Sequence, residues 1–109
     1  MVMADISTAS EAKKAAEMGV DAISTTLAGY VPGALHTAEE LYKPNLELVK
    51  TIADMKLPCA LVVEGRIWER ADLIKAFELG ADAVVIGKAI TNPMAITKYF
   101  LSGVPEELK

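Results

Sequence analysis

The residues best suited to chemistry sit directly after short apolar runs. Asp5 with Ser7 and Thr8 follows the first run, and Thr25, Thr26 and Gly29 follow the second. Glu64, Gly65 and Arg66 follow the third, and Gly87 with Lys88 the fourth. In parallel α/β folds, functional groups collect where strands end and loops begin. Glu64 is the strongest single candidate: a carboxylate at the end of Ala60–Val63 is partly desolvated, which suits acid–base work. The alternative is a structural ion pair with Arg66 or Lys88. Gly65 and Gly87 lack a Cβ, so backbone there can approach a ligand closely and turn N–H groups toward an anion such as phosphate; either could equally be an ordinary turn glycine. Asp5 could bind a hydroxyl or cap the helix after it. His36 has no Cys, His or carboxylate cluster at metal-ligand spacing and reads as solvent-exposed, so no metal site is expected. Trp68 reads as packing.

The elements that must position these groups follow from periodicity. The apolar runs Val2–Ala4, Ala22–Thr26, Cys59–Val63 and Ala83–Ile86 read as strands, nearly continuous in apolar character as in a parallel sheet covered by helices. Thr8 and Glu11 form a T-x-x-E capping box opening a helix that Gly19 closes. Asn45 caps a second helix with Leu46, Val49, Ile52 and Ala53 on one face, and Pro58 follows it. A third runs from about Glu69 to Leu79 with Leu73, Ile74 and Phe77 on its apolar side and Gly80 as its stop. Pro93 suits the first turn of a fourth, which carries Ile96, Tyr99 and Phe100 inward. The order β-α-β-α-β-α-β-α predicts βαβ units. Glu17-Met-Gly-Val-Asp-Ala-Ile23 reappears as Glu78-Leu-Gly-Ala-Asp-Ala-Val84, 61 residues later, a spacing of two βα units. A barrel and a flavodoxin-like sheet would both use such a repeat.

The 109 residues make one domain, 52% hydrophobic and 24% charged, in the range of folded proteins. The net charge of −4 argues against a nucleic-acid partner, which needs a clustered basic face. No apolar run approaches the roughly 20 residues of a membrane span. The start MVMADIST lacks a basic n-region and does not read as a signal peptide. The single cysteine, Cys59, reads as a small buried apolar residue. Together these point to the cytoplasm.

Four segments resemble, in order, the strand-end motifs of the N-acetylmannosamine-6-phosphate 2-epimerase family. They are Met3-Ala-Asp-Ile-Ser-Thr8, Thr25-Thr-Leu-Ala-Gly-Tyr30, Val63-Glu-Gly-Arg-Ile67 and Val85-Ile-Gly-Lys-Ala-Ile-Thr91. The resemblance implies a TIM (β/α)₈ barrel of about twice this length, with residues 1–109 as its C-terminal half, strands five to eight. It implies an isomerase that interconverts N-acetylmannosamine-6-phosphate and N-acetylglucosamine-6-phosphate in sialic-acid catabolism without an organic cofactor. Glu64 would transfer a proton at C2 together with a lysine, and Asp5 would contact substrate. Thr25, Thr26, Gly65, Arg66, Gly87 and Lys88 complete the expected binding set. Two departures stand out: the family's lysine belongs to a third strand outside this chain, and Asn92 stands where the family has a phosphate-holding arginine. Lys88, at a position usually small, could supply that charge. Other readings are a catalytically inactive half-barrel serving as an assembly or phosphate-binding module, and another phosphate-binding barrel enzyme, which the Thr25–Tyr30 run disfavours. Cut edges imply a dimer of half-barrels or a complementary N-terminal half.

Overall fold

The computed structural model describes residues 1–32 and 36–109. Strands β1 (Met3–Asp5), β2 (Ala22–Ser24), β3 (Ala60–Glu64) and β4 (Ala83–Val85) form one parallel sheet in the order β1-β2-β3-β4. Helices α1 (Ala9–Glu17), α2 (Leu46–Asp54) and α3 (Arg70–Leu79) alternate with them, and α4 (Lys88–Thr91) and α5 (Pro93–Ser102) follow β4. The expected strands are all present, offset by a residue or two, but the short α4 is additional.

Local chemistry sets the helix ends. The Thr8 hydroxyl accepts from Glu11 N–H while the Glu11 carboxylate accepts from Thr8 N–H, which completes the capping box. Asn45 caps α2 through Leu48 N–H, and Asn92 caps α5 through Ala95 N–H with Pro93 at its first turn. Gly19 and Gly80 adopt φ of +84° and +115° just past α1 and α3, a conformation that costs other residues about 1–2 kcal/mol. The repeat has a structural counterpart. Asp21 exchanges bonds with Val2 of the preceding strand segment, N–H to carbonyl and carboxylate to N–H. Asp82 does the same with Leu61. Each aspartate fixes the register at which the next strand enters.

One face of the sheet meets the helices. Ile6, Ile23, Leu61 and Val63 pack there against Ala12, Val49, Ile52 and Ala76, each large aliphatic contributing about 1.5–3 kcal/mol by its burial. Among the described residues no helix covers the other face: Met3 and Val85 are 51% and 40% exposed. Edges β1 and β4 each have a single neighbouring strand. The radius of gyration is 15.2 Å, against about 13 Å for a compact domain of this length. Three expectations about inward side chains need correction. Ile74 is 47% exposed, Phe77 49% and Phe100 71%, because a helical apolar stripe is buried only where another element covers it; on α3 the expected Leu73, together with Ala76, does face the core.

Candidate functional site

The carboxyl ends of the four strands open into a cleft of about 690 Å³ whose walls include Thr26, Glu64, Gly65, Arg66, Gly87 and Lys88. A smaller cavity of about 200 Å³ lies at the opposite, amino end of the sheet, beside Cys59 and Gly80. The large cleft therefore holds six of the eight residues singled out from the sequence, and Asp5 and Thr25 bond directly to it.

Glu64 ends β3 and is half-buried. Its backbone is clamped by Thr25, whose hydroxyl donates to the Glu64 carbonyl and accepts from its N–H, both at 3.1 Å. Thr25 itself is buried at the start of a 3₁₀ turn, Thr25–Leu27, directly after β2. The Glu64 carboxylate accepts from the Thr26 hydroxyl at 3.0 Å. That hydroxyl also lies 2.9 Å from Asp5 Oδ1 and 2.7 Å from Ser24 Oγ. The Asp5 side chain thus meets the cleft wall at Thr26 and does not cap the helix; Thr8 does the capping. The three strands meet here because Asp5 pairs with Ser24, and Ser24 with Val62, two residues before Glu64. Ser24, fully buried, was not singled out from the sequence. Its only signal was polarity inside an apolar strand.

Beyond Glu64 the chain turns sharply, with φ of +107° at Gly65 and +60° at Arg66. The turn points the Arg66 guanidinium away from Glu64 and toward the segment after β2. Nη2 donates to Ala28 O at 3.2 Å, Nη1 donates to Glu40 O at 3.0 Å, and Nη1 lies 3.3 Å from His36 Nδ1. Among the described residues no ion pair joins Glu64 to Arg66 or Lys88. His36, read as solvent-exposed, is half-buried, with Nε2 on the Gly29 carbonyl. A carbonyl only accepts and a guanidinium only donates, so these contacts match the tautomer that carries its proton on Nε2. Residues 30 apart in sequence make this contact, beyond the reach of any local signal. Part of the 30–44 loop, residues 33–35, lies outside the described residues.

Gly29 leaves room for the arrangement. A Cβ there would come within 2.8 Å of both Arg66 Nη2 and His36 Cε1. Tyr30 adds its ring face beneath the guanidinium, 5.9 Å from Cζ. Glu40 is held ionised below the usual carboxylate range, first by the Thr37 N–H on its carboxylate at 2.7 Å, with the Arg66 charge adding a smaller effect. Further out, Trp68 stacks on Tyr99 of α5 with centroids 5.0 Å apart, and Tyr42 meets both edge-on. Trp68 packs on Tyr99 and Tyr42 and also lines the cleft. Lys43 bridges Glu69 and Asp72 at 3.0 and 3.2 Å, tying the same loop to the start of α3.

On the far side, Gly87 precedes α4, whose first turn begins with Lys88 and Ala89, all three lining the cleft. The Asn92 side chain is committed to capping α5. Among the described residues, no trio of His, Cys, Asp or Glu could hold a metal ion, and no helix is long and apolar enough to cross a membrane.

Comparison with known proteins matches residues 1–106 to a family described as "Putative N-acetylmannosamine-6-phosphate epimerase". Relatives named as 2-epimerases of that kind include one from Caldanaerobacter subterraneus subsp. tengcongensis, 44% identical over 106 residues, and one from Clostridioides difficile, 42% identical over 105. The matches cover 97% and 95% of this chain but 43% and 44% of those proteins. The structure of the N-acetylmannosamine-6-phosphate 2-epimerase from Clostridium perfringens superposes with a TM-score of 0.82 at 38% identity, over 94% of this chain and 42% of that one. Mandelate oxidase, 22% identical with a TM-score of 0.58, shares the fold alone. The chain spans about two fifths of its relatives' length, and its architecture is that of half a (β/α)₈ barrel.

Proposed function

The chain belongs to the N-acetylmannosamine-6-phosphate epimerase family, and from that premise we propose that residues 1–109 form the C-terminal half, strands five to eight, of a barrel that epimerises N-acetylmannosamine-6-phosphate and N-acetylglucosamine-6-phosphate at C2. The observation that carries this reading is the Glu64 carboxylate, clamped through Thr25 and Thr26 at the mouth of the strands. Epimerisation at C2 removes a proton from one face and returns one to the other. Glu64 serves one face, and a lysine supplied from outside this chain serves the other. Asp5 and Thr26 lie on the sugar side. Gly65, Gly87 and Lys88 receive the phosphate through backbone N–H groups and one ammonium, at the carboxyl end of the strands. Arg66 shapes the wall and is committed to carbonyls. The substrate is thus a small phosphorylated amino sugar, and the setting is cytoplasmic.

The half-barrel is completed by a second copy or by an N-terminal half. Without the lysine, the isolated chain folds and assembles but does not turn over substrate efficiently. The second reading is an inactive half-barrel module. A coupled epimerase assay separates the two. The chain alone is expected to be inactive, and the chain mixed with the N-terminal half of a relative is expected to be active. In that mixture Glu64→Gln should lose about 10²- to 10⁴-fold in rate with binding of inorganic phosphate nearly unchanged. Retention of more than half the rate would overturn the role of Glu64, and no activity in any mixture would favour the inactive module.

A further inference from the structure

The cleft at the carboxyl ends of the strands is lined by the cations Arg66, Lys88 and Lys98 and by a single carboxylate, Glu64. Arg66 is spent on the carbonyls of Ala28 and Glu40. Among the described residues Lys43, Lys50, Lys75 and Lys109 each pair with a carboxylate, whereas Lys88 and Lys98 pair with none. Two ammonium groups without a partner therefore share one cleft, in a chain of net charge −4. A phosphate monoester carries about −1.5 to −2 charge near pH 7, so one ammonium leaves much of it uncompensated. We propose that Lys98 is a second side-chain ligand of the substrate's phosphate, and that with Lys88 it forms a two-ammonium clamp selecting a doubly charged anion over a singly charged one.

The fold delivers Lys98 to the cleft through α5. Ala95 and Lys98 both line it, as residues three apart on one helical face can. The helix is fixed at its start by the Asn92 side chain, which accepts from Ala95 N–H at 3.0 Å. That bond also uses up the Asn92 side chain, which carries no charge of its own. Further along, Tyr99, the neighbour of Lys98, stacks on Trp68 with centroids 5.0 Å apart and planes 25° from parallel. Trp68 lines the same cleft, so the stack seats the helix against the cleft wall. Between the two lysines there is room for an anion beside Gly87, where an added Cβ would meet nothing within 4 Å. A lysine ammonium binds phosphate as a point charge with three rotatable donors, so two of them on flexible stems can close on one group from two elements, α4 and α5. The clamp rests on the epimerase reading for the identity of the sugar, but not for the charge of the group bound.

Calorimetric titration of the chain with N-acetylglucosamine-6-phosphate, N-acetylglucosamine-6-sulfate and inorganic phosphate tests it. The native chain should bind the 6-phosphate about tenfold or more tighter than the singly charged 6-sulfate. Lys98→Met keeps most of the stem and removes the charge, at an exposed helical position where both residues are good helix formers. It should weaken 6-phosphate binding about tenfold or more and shrink the preference over 6-sulfate, and Lys98→Arg should restore most of both. Lys13→Met, on the exposed side of α1 and away from the cleft, changes the net charge equally and should leave both unchanged. Equal binding by native and Lys98→Met, an equal loss in Lys13→Met, or a native chain that binds none of the three anions would overturn the clamp. Loss of inorganic phosphate binding in Lys98→Met, with the amino-sugar phosphate binding the native chain no tighter than inorganic phosphate, would uphold the clamp while removing the amino-sugar reading.

Discussion

Thr25 and Glu64 exchange two hydrogen bonds through one hydroxyl: Thr25 Oγ1 donates to the Glu64 carbonyl and accepts from the Glu64 N–H, each at 3.1 Å. The residue that ends β3 is therefore held by the residue that follows β2, and the carboxylate at the cleft inherits its position from a neighbouring strand. Replacing Thr25 by Val keeps its shape and leaves the Glu64 N–H and carbonyl without this partner. Each unmade buried bond costs about 1–3 kcal/mol, so Thr25→Val should destabilise by about 2–4 kcal/mol in urea denaturation. Thr25→Ser should recover most of that. A loss below about 0.5 kcal/mol, within the scatter of surface substitutions, would show the clamp to be incidental.

A second prediction concerns the Arg66 turn. In Gly29→Ala the added methyl meets Arg66 Nη2 and His36 Cε1 at 2.8 Å, on backbone already at φ +85°. The expected cost is about 2–3 kcal/mol, part from the left-handed backbone, about 1–2 kcal/mol, and part from displacing the guanidinium. In an Arg66→Ala background the guanidinium part should vanish, so a double-mutant cycle should show coupling of about 1 kcal/mol. His36 is the sole histidine, and its ring ¹⁵N shifts should move from the Nε2–H form toward a tautomer average in either single variant.

Acid should loosen the first helix. Glu11 is held below the ordinary glutamate range, foremost by the Ser7 N–H donated to its carboxylate at 2.6 Å, then by the Ser7 hydroxyl. A carboxylate lowered by folding stabilises the native state above its unfolded value, and that contribution is lost as pH falls through the folded value. Amide exchange at Ala12 and Lys13 should therefore accelerate below about pH 4.5, the ordinary glutamate value. Glu11→Gln should remove most of this dependence while leaving the Thr8 hydroxyl's bond to residue 11 in place.

The open sheet predicts assembly. Edges β1 and β4 expose unpaired strand groups, and Met3 and Val85 stand exposed on the uncovered face. Joining β4 of one copy to β1 of another, twice about a twofold axis, would close eight parallel strands around one interior. Sedimentation velocity at micromolar concentration should give a dimer whose melting temperature rises with concentration. A compact, cooperatively melting monomer would refute this.

How much of this was legible beforehand divides along the range of the interactions. The Thr8–Glu11 box, the Asn45 and Asn92 caps, the left-handed glycines after α1 and α3, and the parallel βα order are set by residues a few positions apart, so local hydrogen bonding and steric rules suffice to read them. The same alternation placed Asp5, Thr26, Glu64 and Gly87 at strand ends, and strand ends in a parallel sheet converge. What no local rule contains is the register between strands and the coverage of each face. Ser24 joins Asp5 and Glu64 only because three strands align, and His36 leaves solvent only because Arg66, 30 residues on, turns back through a left-handed φ. Ile74, Phe77 and Phe100 lie on apolar stripes, yet periodicity says which side of a helix is apolar and nothing about what packs against it. The sequence by itself determined the elements and their order; tertiary structure decided which hydroxyl stands between the two carboxyls, because hydrogen bonds across strands depend on register, a property of the folded sheet and of no single segment.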